Sequence, residues 1–341
     1  AAERQRQAAV VEAFGVYPPS PVRVFGVHCY NPHNVGDVCS APLRHWDALR
    51  GACASAPYAA GTILDLCGLA GLPLFDRGGA SWLADAPIPA GSPLIVGGGG
   101  LVAHESFARV MRRLAGRGEE QGPVVFWGVG LNSYRREDIA AAGPKLPGYL
   151  AEASRRSHVL VGLRDFDPWG GLRWVPCVSC MHPGFDADMA AGAGAERRGA
   201  AGAGAERLGV LTSTVPEGNE VAQYLGRWIE RGLLSKRDVC TNRGTDMARV
   251  VDFLRGYDVV ATSSYHAAYW STLLGKKVIV CGLWSSKFTW MKYPPTVYSG
   301  DILADIARAQ RYPEALSDAR AATLAFAEDA FALFAACAKK K

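Results

Sequence analysis

Thr262-Ser263-Ser264-Tyr265-His266-Ala267-Ala268-Tyr269-Trp270-Ser271-Thr272-Leu273-Leu274-Gly275-Lys276-Lys277-Val278-Ile279-Val280 decides the fold. A polar loop carrying one histidine runs into a short amphipathic helix, a glycine stop and a buried apolar strand. Just upstream, Tyr257-Asp258-Val259-Val260-Ala261 reads as another buried strand. His266 therefore stands where a strand of an α/β sheet ends and a helix begins. Ligands of open α/β sheets bind at that rim, outside the carboxyl ends of the strands. The free N–H groups of a helix start also favour anions there. Two readings of His266 stay open: a proton donor or phosphate contact, or a helix-start histidine with no chemistry.

Outward from this stretch, the predicted strands start near Val22, Thr62, Leu94, Val124, His158, Gly209, Asp258 and Lys277, with helical patterns between them. Strands alternating with helices imply βαβ units and parallel sheets. A long helix is expected from about Pro313 to Cys337. Between Asp165 and Leu208 the periodicity fails, and Ala190-Ala-Gly-Ala-Gly-Ala-Glu-Arg197 recurs as Ala200-Ala-Gly-Ala-Gly-Ala-Glu-Arg207. Such a repeat offers little side-chain area to bury and reads as a mobile insertion or linker. The expected fold class is α/β, with two Rossmann-like domains and an interdomain cleft. The boundaries are 1–165 for the first domain, 166–208 for a Gly/Ala/Pro-rich linker or insertion, and 209–341 for the second with its C-terminal helix.

Length and composition set the frame. A chain of 341 residues suggests two domains of ordinary size. A hydrophobic share of 49% with 20% charged residues excludes a disordered chain. The net charge of +5 is thinly spread, favouring anionic small ligands and giving no footprint for nucleic acid. No apolar run approaches a membrane span, so none is expected. Nine cysteines without close pairing argue against a disulfide framework. Cys29, Cys67 and Cys281 lie in apolar runs and read as small core residues. Cys177-Val178-Ser179-Cys180 has the spacing of half a zinc site, but no second pair completes it, so no metal is expected.

Four more features sit at predicted strand ends. Asn34-Val35-Gly36-Asp37 follows the first strand and reads as hydroxyl-positioning groups, or as a turn and helix cap. Gly97-Gly98-Gly99-Gly100 follows the Ile95-Val96 strand; before a helix it would expose N–H donors to an anion, or simply make a tight turn. Arg164, after Val159-Leu160-Val161, is a planar donor suited to carboxylate or phosphate, or a salt-bridge partner of Asp165 or Asp167. Trp284 and Lys287 follow Val278-Ile279-Val280. Lys287 reads as a point-charge phosphate ligand or a solvated lysine, and Trp284 as the tryptophan best placed to stack on a sugar.

Taken in order, Asn34-x-Gly36-Asp37, Gly97 to Gly100, Arg164-Asp165, Ser263-x-x-His266 and Lys287 resemble the polysaccharide pyruvyl transferase family. The resemblance implies a GT-B-like architecture and transfer of the pyruvate unit of phosphoenolpyruvate onto two sugar hydroxyls as a ketal. It makes the first domain the acceptor side and the second the donor side. It implies that Arg164, His266 and Lys287, with Ser263 and Ser264 beside them, hold the donor's phosphate and carboxylate. His266 becomes the proton-transfer group, with Arg164 and Asp37 catalytic beside it. Asn34, Gly36, the four glycines and Trp284 fall to the acceptor or to backbone anion contacts. Phosphoenolpyruvate enters as co-substrate and no cofactor is implied. The partners are an anionic small-molecule donor and a glycan acceptor.

The chain departs from the family in one place: Ser264 stands where many members carry a basic residue two before the histidine. Lys276, Lys292 and Arg243 are candidates to replace that cation. Two alternatives stand beside the pyruvyl transferase reading: a GT-B glycosyltransferase using a nucleotide sugar, and a catalytically silent scaffold subunit of the same fold. Oligomeric state stays open. Unpaired cysteines suit the cytoplasm, while a catalytic domain from the Golgi lumen would look the same.

Overall fold

The computed structural model describes residues 22–51, 58–74, 83–84, 88–140, 145–166, 171–186, 206–213 and 220–338. The Gly/Ala duplication lies outside these residues except at its end, so the expectation of a mobile insertion there has no structural counterpart.

Two parallel sheets organise the chain, as expected of an α/β fold. The first holds β1 (Val22–His28), β2 (Tyr58–Asp65), β3 (Leu83–Ala84), β4 (Leu94–Val102), β5 (Val124–Leu131), β6 (Val159–Leu163) and β7 (Arg173–Trp174). Their order is β3-β2-β1-β4-β5-β6-β7, so the direction of winding reverses between β1 and β4. The second holds β8 (Leu208–Thr212), β9 (Val239–Thr241), β10 (Val259–Thr262), β11 (Lys277–Val280) and β12 (Thr296–Val297), in the order β12-β11-β10-β8-β9. Its reversal falls between β8 and β10. Both orders are those of doubly wound nucleotide-binding folds, which bind ligands at such reversals. Parallel strands covered on both faces read as unbroken apolar runs; all eight residues of β5 are buried.

Four helices position the site: α1 (Val35–Cys39), α2 (Ala108–Ala115), α3 (Tyr265–Leu273) and α4 (Ala315–Ala338). The amphipathic reading of α3 needs correction, since all nine of its residues are buried. It lies between the second sheet and the segment around Cys177 to Cys180, so no face meets water. Helix α4 begins in the α3 core with Ala315 and Ala319. It then lays Phe326, Phe331 and Phe334 against Trp127, Trp46 and Tyr58 of the first half. At 24 residues, with an 18-residue window of mean hydropathy 1.5, it is long and apolar enough to cross a membrane by length and composition alone, where the sequence reading expects no such run, but a packed core helix meets the same test. Residues 171–186, inside the expected linker, contribute β7 to the first sheet and bury Val178, Cys180 and Phe185.

The four glycines also depart from the sequence reading. They lie within β4, pairing Gly97 with Trp127 and Gly99 with Val129 across an irregular register. Helix α2 starts only at Ala108. The glycines therefore form no N–H cradle at a helix start. Gly98 donates its N–H to Ser40 O at 3.2 Å instead. A strand flanked on both sides by parallel neighbours continues through a run that would be a loop if it stood alone.

Candidate functional site

The two winding reversals face one another, and one polar pocket lies between them. Asn34 and Asp37 reach it from the loop after β1, and Gly100 from β4. Ser213 comes from the end of β8, Asn242 from the end of β9, and Ser264, Tyr265 and His266 from the end of β10. Asn132 follows β5, Arg164 follows β6, and Lys287 follows β11. Arg164, His266 and Lys287, separated in sequence, thus line one pocket together with Asp37. Ser263, Gly97, Gly98, Gly99 and Trp284 do not line it.

Arg164 is buried, with 3% of its surface exposed. Its guanidinium carbon stands 4.0 Å over the Tyr265 ring centre. One terminal nitrogen makes only a long bond, 3.4 Å to Leu131 O, and Nε has no partner. An alanine in place of Gly130 would put its Cβ onto the Arg164 side chain, so glycine there leaves room for the guanidinium to lie flat on β5. Lys287 holds its ammonium 3.5 Å over the Trp284 ring centre. None of the ion pairs among the described residues involves Arg164 or Lys287. Asp165 accepts the Leu131 N–H at 2.8 Å rather than pairing with Arg164. A buried guanidinium and a half-buried ammonium, each with spare donors and no ion pair among the described residues, mark a site for an anion.

Burial and mutual repulsion shift the titrations in opposite directions. Lys287 falls to about 7, by burial and by Arg164, with Asp37 opposing. Asp37 rises to about 6 by burial, with Lys287 and Arg164 pulling it back. Asp165 likewise rises to about 6 on burial. His266 is held well below its ordinary value by burial, Arg164 and Lys287. The ring is therefore neutral at pH 7.

A chain of side chains reaches one nitrogen of that ring. Trp270 Nε1 donates to Ser179 Oγ at 2.9 Å, Ser179 Oγ lies 3.2 Å from Cys177 Sγ, and Cys177 Sγ lies 3.6 Å from His266 Nε2. Burial keeps the Cys177 thiol protonated by raising its titration. Either Nε2–H donates to the sulfur, or the thiol donates to Nε2 and the proton of His266 sits on Nδ1. On that side the ring packs on Gly36, where a methyl group would overlap it. Cys177 and Cys180 do not act as a pair, because Cys180 Sγ turns to Thr323 Oγ1 at 3.4 Å.

Asn34 caps α1, accepting from Gly36 N at 3.1 Å, and donates to Asp37 Oδ2 at 2.9 Å. Its capping and positioning roles are thus one arrangement. Asn242, which sequence reasoning missed, donates to Asn34 Oδ1 at 3.2 Å and to Ser264 Oγ at 3.3 Å. Ser264 offers a hydroxyl where the family pattern has a cation. Lys276 bonds Arg255 O, Lys292 pairs with Asp318, and Arg243 is exposed; none of the three lines the pocket. Ser263 is buried, and its carbonyl accepts from Trp284 Nε1 at 3.0 Å. Trp284 thereby backs the site rather than facing it. Tyr134 stacks on Trp284 at 5.5 Å between ring centres and is 51% exposed. Its hydroxyl accepts from the pocket residue Asn132 at 3.2 Å. His28, also missed, places Nδ1 2.8 Å from Gly97 O and Nε2 2.5 Å from Asp37 O, tying α1 to β4.

No family model matches the chain, and no curated protein matches it. Solved structures that match include an uncharacterized protein from Klebsiella pneumoniae subsp. pneumoniae NTUH-K2044. It is 12% identical, with a TM-score of 0.35 over 82% of this chain and 88% of that one. A likeness of that size says nothing about activity.

Proposed function

We propose that this protein is a polysaccharide pyruvyl transferase-like enzyme, moving the pyruvate unit of phosphoenolpyruvate onto two hydroxyls of a glycan. The observation that carries this reading is the meeting of Arg164, Lys287 and His266 in one polar pocket beside Asp37, with neither cation in an ion pair among the described residues. A donor bearing both phosphate and carboxylate supplies the missing negative charge. Its arrival also offsets the repulsion that keeps the imidazole neutral, so a proton joins His266 as the donor binds.

In the proposed reaction His266 gives a proton to the methylene carbon of the donor, leaving an oxocarbenium centre on the adjacent carbon. A sugar hydroxyl adds there and passes its proton to Asp37. Phosphate departs with the C–O electron pair, steadied by Arg164 and Lys287. The second hydroxyl adds to the same carbon and passes its proton to His266, which closes the ketal and restores the acid. On the acceptor side the exposed ring of Tyr134, backed by Trp284, replaces Trp284 itself as the stacking surface for a sugar.

The test is a thermal-shift comparison of phosphoenolpyruvate with UDP- and GDP-sugars. Stabilisation by phosphoenolpyruvate alone supports the reading. Stabilisation by a nucleotide sugar alone favours the glycosyltransferase alternative, and stabilisation by neither favours a silent scaffold.

A further inference from the structure

Cys29 and Cys67 read in the sequence as unrelated core residues, yet the fold brings their sulfurs to 3.7 Å. The register explains the meeting. Strands β1 and β2 are parallel neighbours with His28 opposite Asp65, and each cysteine follows within two residues of that pair. Cys29 is partly exposed, while Cys67 is 6% exposed. Asp65 accepts the Cys67 N–H on Oδ1 at 2.9 Å, and its Oδ2 is buried without a partner. Cys240 and Cys337 are also partly exposed, and the sulfur of Cys240 meets Thr241 O and the Arg249 guanidinium instead of a second sulfur.

We propose that Cys29 and Cys67 form a dithiol oxidation site that closes to a reversible disulfide when the protein meets hydrogen peroxide. One sulfur, as thiolate, attacks the peroxide O–O bond and becomes a sulfenic acid. The hydroxide released takes up the thiol proton, by way of Asp65 Oδ2, and leaves as water. The second sulfur attacks the sulfenic sulfur; an S–S bond forms and a second water leaves. Two thiols are oxidised to one disulfide and one peroxide is reduced. The bond would span neighbouring strand ends, one residue from the His28 ring that holds α1 to β4. Proximity decides selectivity, because a sulfenic acid with a thiol in contact condenses with it before further oxidation.

The test uses the whole chain, treated with hydrogen peroxide, blocked with iodoacetamide and mapped unreduced by tandem mass spectrometry. Expected is a peptide pair lighter by two hydrogens, with fragments placing the link between Cys29 and Cys67, which disappears on adding dithiothreitol. Cys240 and Cys337 serve as internal gauges of oxidant dose. Cys29→Ser should abolish the link and let a sulfenic acid accumulate on Cys67, trapped by dimedone. The proposal fails if both sulfurs still alkylate at doses that oxidise Cys240 and Cys337, or if the link joins other cysteines.

Discussion

Cys177 Sγ lies 3.6 Å from Nε2 of His266. Ser179 and Trp270 line up behind that thiol, and we predict that it donates to Nε2, so that the neutral ring keeps its proton on Nδ1, beside Gly36. Replacing Cys177 by Ala removes the donor and frees the ring to exchange tautomers. Long-range 1H–15N correlation should show an unprotonated Nε2 in the parent and averaged nitrogens in Cys177→Ala. On the proposed reaction, losing an orienting partner of this kind costs about 10–100-fold in turnover, with donor affinity unchanged. A fixed Nδ1–H form in the variant would assign the orientation to packing alone.

Arg164→Ala and His266→Ala should each lower pyruvyl transfer at least about a hundredfold, the range for losing one charge donor or one acid. The two differ in binding. Arg164→Ala should also abolish stabilisation by phosphoenolpyruvate, whereas His266→Ala should keep most of it. Near-parent rates in both variants would remove these residues from the chemistry.

Lys287 titrates at about 7 rather than its ordinary 10.5. The donor needs the ammonium form, so donor affinity should fall as pH rises through 7, about tenfold per unit once the neutral amine predominates. Lys287→Arg keeps its charge throughout and should flatten the profile between pH 7 and 9. A parent profile already flat there would contradict the assignment.

The same shift has a stability consequence. The folded state releases the Lys287 proton near pH 7 and the unfolded chain near 10.5. Between those values the unfolded state binds more protons, so this group's contribution makes stability rise with pH; below 7 its full cost is present. Lys287→Met removes that cost while keeping the contact with Trp284. It should raise stability at pH 6 by about 1–3 kcal/mol, a discounted figure for a half-buried amine. Chemical denaturation at pH 6 and pH 9 checks it, and an equal gain at both pH values would point to packing instead.

Tyr134→Ala should raise the acceptor KM severalfold and leave donor stabilisation intact, because Tyr134 itself does not line the pocket and its hydroxyl meets the lining residue Asn132. Saturation-transfer NMR with methyl glycosides should show sugar C–H contact in the parent alone. Equal contact in both proteins would move the acceptor elsewhere.

Much of this site was legible because chemistry followed apolar runs. Arg164, His266 and Lys287 each stand just past a strand of valines, leucines and isoleucines, and parallel sheets gather such positions at one edge. The glycine run misled because four glycines signal a turn on local grounds, while the neighbours that make it a strand, Trp127 and Val129, lie some 30 residues on. Cys177, His28, Asn242 and Tyr134 left no local signal; their partners are brought by packing. The depressed titration of His266 was hidden for the same reason, since it depends on Arg164 and Lys287 reaching the same space.

Helix α4 gives the architecture a consequence for biosynthesis. It is translated after every strand of both sheets, yet its phenylalanines complete the core around Trp127 and Trp46. The leading half emerges from the ribosome with an unfinished apolar face, which needs shielding until α4 arrives. A fragment cut at the boundary between the sheets would keep that face bare, so severing the chain there should yield two insoluble pieces rather than two working modules.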